Sequence, residues 1–191
     1  MFFNSLQGTP SPPGCPWPLP QNWIKSTDVF TLHPDHFKIN ILNTPSDCDI
    51  LKDAVDRCRR SIFHDALGTA ASNHTHLYDV YVEVDDLSCG FPKFGDSENY
   101  TIEISSDVFR QAKLKSPSVW GALRALETLS QLVYQDTNRS YLINATHISD
   151  WPQYKYRGLL LDTARHFVPL KVLMQNLVSN SFYGGSCYNK L

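Results

Sequence analysis

Apolar positions fall into two rhythms along the chain. Tyr78–Val84 (YDVYVEV) alternates apolar and polar residues, and Tyr100–Ile104 (YTIEI) and Val108–Leu114 do the same, which predicts half-buried strands. Val29–Leu32 and Phe37–Leu42 are short β-prone runs. His33-Pro34-Asp35 between them is a turn signal, so the pair predicts a hairpin. Tyr141–Asn144 and Thr146–Ser149 are again strand-like.

Two stretches change to a helical period. Ser46-Asp47 offers a cap, and Leu51, Ala54, Val55, Cys58 and Ile62 then recur on one stripe, which predicts a helix over 49–66. Ser116-Pro117 has the form of a cap followed by proline at the first helical position. Val119, Ala122, Leu123, Leu126, Leu129 and Val133 follow on one face, with Arg124, Thr128 and Gln131 opposite, which predicts a helix over 116–134. Each helix has a single apolar stripe. The economical arrangement is α+β: a mostly antiparallel sheet with both helices on one face.

Ahead of these elements, residues 1–21 are proline-rich and predict an extended lead-in. Residues 22–150 form the α+β domain. After Trp151-Pro152 the pattern changes. Tyr156–Thr163 carries the unbroken triplet Leu159-Leu160-Leu161, as in a strand buried on both faces of a parallel sheet. Pro169 then opens a helix with Leu170, Leu173, Met174 and Leu177 on one stripe. Residues 153–191 therefore read as the first strand and helix of an α/β architecture.

Composition narrows the class without assigning chemistry. The 191 residues are 42% hydrophobic and carry a net charge of −2, so disorder and a basic nucleic-acid surface are both excluded. No apolar run approaches the ~18 residues of a membrane helix. The five cysteines form no CxxC pair and no histidine stands at zinc-finger spacing, so neither a metal nor a cofactor is expected. A disulfide between Cys48 and Cys89 would close a loop of about forty residues; two unrelated thiols is the alternative. Cys58 lies on an apolar stripe and reads as a buried free thiol. Asn73, Asn99, Asn138 and Asn144 each open an Asn-x-Ser/Thr sequon, which points to the secretory route. Met1–Leu6 is too short and broken for a signal peptide, so this Met is expected not to be the true start.

The run Arg157-Gly158-Leu159-Leu160-Leu161-Asp162-Thr163-Ala164-Arg165-His166-Phe167-Val168-Pro169-Leu170 resembles the opening of the catalytic barrel in lysosomal-type β-N-acetylhexosaminidases. Cys15-Pro16-Trp17-Pro18, Glu98-Asn99-Tyr100-Thr101, Val119–Thr128 and Ile143-Asn144-Ala145-Thr146 are similar to family segments as well. The resemblance implies that 22–150 is the non-catalytic front domain and 153–191 the start of a truncated (β/α)8 barrel. It implies a Cys48–Cys89 disulfide and a lysosomal or secreted location. It implies that Arg165 grips hydroxyls of a terminal N-acetylhexosamine, with Asp162 and Arg157 as supports, where barrel active sites lie. His166 is expected to pack rather than bind.

Family members hydrolyse terminal N-acetylglucosamine or N-acetylgalactosamine from glycans and glycolipids, the sugar's own acetamido oxygen attacking the anomeric carbon. A glutamic acid protonates the leaving oxygen, and an adjacent aspartate orients the acetamido group. The motif carrying that pair is absent here: Gly184-Gly185 is followed by Ser186-Cys187, and Val178–Cys187 is longer than the family pattern before Tyr188-Asn189-Lys190-Leu191. The expectation is an N-terminal fragment with no catalytic acid of its own, the full enzyme being dimeric. A non-catalytic short isoform acting by interaction is the alternative.

Overall fold

The structure, a computed structural model, describes residues 12–42, 48–64, 74–105, 111–158, 160–163 and 165–182, with backbone only for 177–182. Its elements are β1 (Asn22–Leu32), β2 (Lys38–Leu42), α1 (Asp49–Ile62), β3 (Thr75–His76), β4 (Asp79–Asp86), β5 (Tyr100–Ile104), β6 (Gln111–Ser118), α2 (Val119–Leu132), β7 (Tyr134–Gln135), β8 (Tyr141–Asp150) and α3 (Leu170–Phe182).

The strands form one sheet in the order β2-β4-β6-β5-β8-β1-β3, with β7 paired to β8. The α+β class is as expected, but the sheet is mixed rather than mostly antiparallel. β2–β4, β4–β6 and β1–β3 are parallel. β1–β8, β5–β6, β5–β8 and β7–β8 are antiparallel. For β2 and β4 the cause is α1: the helix carries the chain back to the end of the sheet where β2 began, so the two strands run the same way.

The expected hairpin does not form. The turn is real, since His36 N and Phe37 N both donate to His33 O at 3.1 and 2.9 Å. β1, however, pairs with β8 from Asn22↔Ser149 to Leu32↔Tyr141, while β2 lies at the far end of the strand order. Leu77 N donates to Thr31 O (3.0 Å) and Lys38 N to Tyr78 O (2.8 Å). Residues 77 and 78 thus take backbone groups that a hairpin would have paired across the turn.

In α1, Leu51, Ala54, Cys58 and Ile62 are buried as their spacing requires, and Val55 is half-buried. The helix stops at Ile62. Its N-cap is Cys48, with no side-chain cap bond, and Ser46-Asp47 lies outside the described residues. The Cys48–Cys89 disulfide holds this end (Cα–Cα 5.7 Å), joining it to the chain after β4.

In α2 the cap is Ser118, whose hydroxyl accepts from Gly121 N at 3.3 Å. Ser116 and Pro117 belong to β6, because the ladder with β4 continues to Asp86↔Ser118 and holds the backbone extended. Val119, Ala122, Ala125, Leu126, Leu129 and Leu132 are buried. Leu123 and Val133 lie only partly buried at the margin. Thr128, expected on the polar face, is buried, its hydroxyl 2.6 Å from Tyr100 OH.

Both helices and the inner strand residues, Val80, Val82, Ile102, Leu114, Ile143 and Ile148 among them, form one core. Cys58 Sγ of α1 donates to Leu126 O of α2 at 3.2 Å, so the helices pack side by side. Phe63 stands edge-on to Phe37 and Tyr141, with ring centroids 5.6 and 5.0 Å apart, closing one end of that core.

Beyond β8 the segment expected to open the barrel has no partner strand among the described residues. Among the described residues of 156–163 none is in a strand, and Leu160 is 82% exposed. A doubly buried strand needs neighbours on both sides, and β8, where the segment departs, already has β1 and β5 on its edges. The expected helix is present as α3, with Leu170 and Met174 exposed.

Candidate functional site

Two groupings of polar side chains flank the chain as it leaves β8. The inner one is built on Glu98, which lies just ahead of β5. Its Oε2 accepts from Arg124 Nε of α2 at 3.0 Å, and its Oε1 accepts from Arg157 Nη2 at 2.5 Å. Arg157 Nη1 donates to Tyr154 O at 2.7 Å. Glu98 is 20% exposed, Arg157 24% and Arg124 35%, so solvent screens this trio less than an ordinary surface pair. One carboxylate therefore joins α2 to the departing segment.

The trio forms one wall of a cleft of about 310 Å³ whose rim carries Trp17 and Trp151. Tyr100 stands in this cleft. Its hydroxyl donates to Asp150 Oδ2 at 2.8 Å and lies against Thr128. Burial pushes the Tyr100 hydroxyl pKa well above the usual phenol range, so it is a fixed donor at physiological pH. Two bonds pin the proline-rich lead-in beside it. Trp17 N donates to Gln131 Oε1 (2.6 Å), and Gln21 N donates to Asp150 Oδ1 (2.9 Å).

The outer grouping is Arg165 with Asp162. Arg165 Nε lies 3.3 Å from Asp162 Oδ2, and Arg165 N donates to Asp162 Oδ1 at 3.2 Å. Its side chain is 86% exposed. His166, expected to pack, is also exposed, because the segment around it has no second layer among the described residues. The structure thus brings Arg165 and Asp162 together, and places Arg157 in a separate cluster with Glu98. Asp162 contacts Arg165 directly, and Arg157 contacts Glu98 and Tyr154 O. Sequence chemistry alone did not single out Glu98: its partners stand 26 and 59 residues away, and nothing local marks such a pairing.

Among the described residues, no three His, Cys, Asp or Glu side chains are grouped to hold a metal ion. Of the sequon asparagines, Asn99 and Asn138 are exposed and Asn73 lies outside the described residues. Asn144 is half-buried. It sits within β8, its Nδ2 donating to Ser26 O and its Oδ1 accepting from Tyr134 OH, both at 3.0 Å. No described helix is long and apolar enough to cross a membrane.

Comparison with known proteins adds the context. The family model described as "beta-acetyl hexosaminidase like" matches residues 16–132. The beta-hexosaminidase subunit beta of Homo sapiens is 35% identical over 176 residues, covering 87% of this chain and 31% of that protein. The subunit alpha of Rattus norvegicus is 35% identical over 170 residues, covering 84% and 32%. This chain therefore spans about a third of the length of these relatives. In structure, it is similar to the chitobiase of Flavobacterium johnsoniae, with a TM-score of 0.65 and 27% identity, over 85% of this chain and 24% of that one. The N-acetyl-beta-hexosaminidase of Streptomyces plicatus shares the fold at a TM-score of 0.58 and 15% identity, over 93% of this chain and 34% of that one.

Proposed function

The chain belongs to the beta-acetyl-hexosaminidase-like family, and from that premise we propose that it is the N-terminal portion of a β-N-acetylhexosaminidase. The whole enzyme is a glycosidase that releases terminal non-reducing N-acetylglucosamine or N-acetylgalactosamine from glycans or glycolipids. It works as a dimer, in the lysosome or outside the cell. The carrying observation is the extent of the match. At 87% of the chain, the alignment to the human subunit reaches past Arg157 wherever it begins, so front domain and arginine segment fall in one relative.

In this reading residues 22–150 are the non-catalytic domain and 153–191 open a (β/α)8 barrel. Arg165 is the sugar-binding residue. A guanidinium presents several donors in a fixed plane, which suits neighbouring hydroxyls, and Asp162 holds that plane from three residues away. Asn73, Asn99, Asn138 and Asn144 are the glycan acceptors. The Cys48–Cys89 bond fits an oxidising compartment.

Cleaving a glycosidic bond requires a carboxylic acid against the leaving oxygen and, in substrate-assisted hydrolysis, a carboxylate beside the acetamido group. The segment 153–191 holds one acid, Asp162, and it is engaged by Arg165. The purified 191-residue chain is therefore expected to leave a fluorogenic N-acetylglucosaminide intact, while a full-length relative turns it over. Turnover that disappears in Arg165→Ala would overturn the fragment reading. Sequencing the transcript past Leu191 tests the enzyme itself. An open frame leading to adjacent Asp-Glu supports it, and an immediate stop codon favours a non-catalytic short product.

A further inference from the structure

We infer that Glu98 is a positioning residue, the joint that sets the direction in which the chain leaves the front domain toward Arg165. The inference rests on the hexosaminidase reading for what Arg165 does, but the joint itself stands on geometry. Arg157 lies seven residues beyond Asp150, the last residue of β8, and eight before Arg165. From Gln153 to Tyr156 every residue is exposed, and Arg157 is half-buried again because Glu98 draws it in.

Charge makes the joint directional. Two guanidinium groups, on Arg124 and Arg157, share the two oxygens of one half-buried carboxylate. Such charge-assisted bonds are shorter and roughly twice as strong as neutral ones. Without the carboxylate, the two cations would face each other at close range and push the departing segment off α2. Glu98 thus both attracts Arg157 and neutralises the charge that would repel it. Arg124, by contrast, is anchored in α2 and does not depend on the joint for its place. Because Arg157 also donates to Tyr154 O, fixing its guanidinium fixes the backbone one turn earlier. A rigid start at residue 157 limits where Arg165 can be carried, which is what a sugar-gripping arginine on a separate domain requires.

The test is limited trypsin digestion of the purified chain, read as the rate of cleavage after Lys155, with thermal unfolding as the global control. Glu98→Gln and Arg157→Gln are each expected to speed that cleavage by about 10- to 100-fold, the range set by losing a hydrogen bond to a charged group. Thermal unfolding of the sheet should shift little. Arg124→Gln is the discriminating variant. It removes a charge from the same trio but leaves the Glu98–Arg157 pair, so cleavage after Lys155 should stay slow. If Arg124→Gln speeds cleavage as much as Glu98→Gln does, the trio is a general support of α2 and the proposal fails. If Glu98→Gln leaves the cleavage rate unchanged, it fails as well. None of these readouts depends on activity, so failure of the hexosaminidase reading would be seen separately.

Discussion

Cys58 shows how far one side chain can be read. Its place on the α1 stripe marks it for burial, and in the fold its Sγ donates to Leu126 O across the helix pair. Burial, with Glu127 nearby as a lesser cause, pushes the thiol from its ordinary 9.0 up to about 12. The folded state therefore holds a proton that the unfolded chain releases above pH 9. That contribution to stability is complete below pH 9 and is lost as pH rises from 9 toward 12. Urea unfolding should show about 1 kcal/mol lost to this group by pH 10 relative to pH 7. Cys58→Ala, though less stable throughout, should lack this share of the slope; identical slopes would mean that the thiol ionises in the folded chain. Glu98 is the opposite case. An acidic residue in a polar stretch has no local mark, and only the fold brings Arg124 and Arg157 to it. Asn144 lies between these extremes, since its sequon is legible but the hydrogen bonds that occupy its amide come from β1 and β7.

Whole elements were legible where one local pattern decides them and less so where a distant partner does. The stripes of α1 and α2 were enough to find both helices. The start of α2 departs from its local pattern because Ser116-Pro117 has the form of a cap, whereas pairing with β4 keeps both residues extended and hands the cap to Ser118. Thr128 looked like a surface residue until Tyr100 OH stood over it. The tight start of α2 makes Gly121 necessary. Replacing a helical glycine with alanine ordinarily gains about 1 kcal/mol. At Gly121 the new Cβ would lie 2.2 Å from both Asn99 O and Ser116 Oγ. Gly121→Ala is therefore expected to lose about 1–3 kcal/mol in denaturant titration, the cost of forced overpacking. A stabilised variant would show that the chain around Asn99 yields easily.

At the scale of the molecule, strand order was the least legible feature, because period-two patterning says which face of a strand is buried and nothing about its neighbours. The disulfide was better placed. Cys48–Cys89 ties the start of α1 to the chain after β4 across 41 residues. A Cys48→Ala/Cys89→Ala variant should unfold with roughly 3–4 kcal/mol less stability by the chain-entropy account. A loss below about 1 kcal/mol would mean that the unfolded loop is already compact. The pairing of β1 with β8 carries a different implication, one of timing. The ribosome makes β1 before the other described strands of the sheet and β8 after all of them. Between them β1 can meet its small parallel partner β3 but not its principal one, and β5 likewise lacks one neighbour. The sheet can therefore close only after residue 150 has emerged, and until then nascent chains present strand edges that invite pairing with one another. A cell making this protein would need to shield that interval, and the last ten residues of the domain decide when it ends.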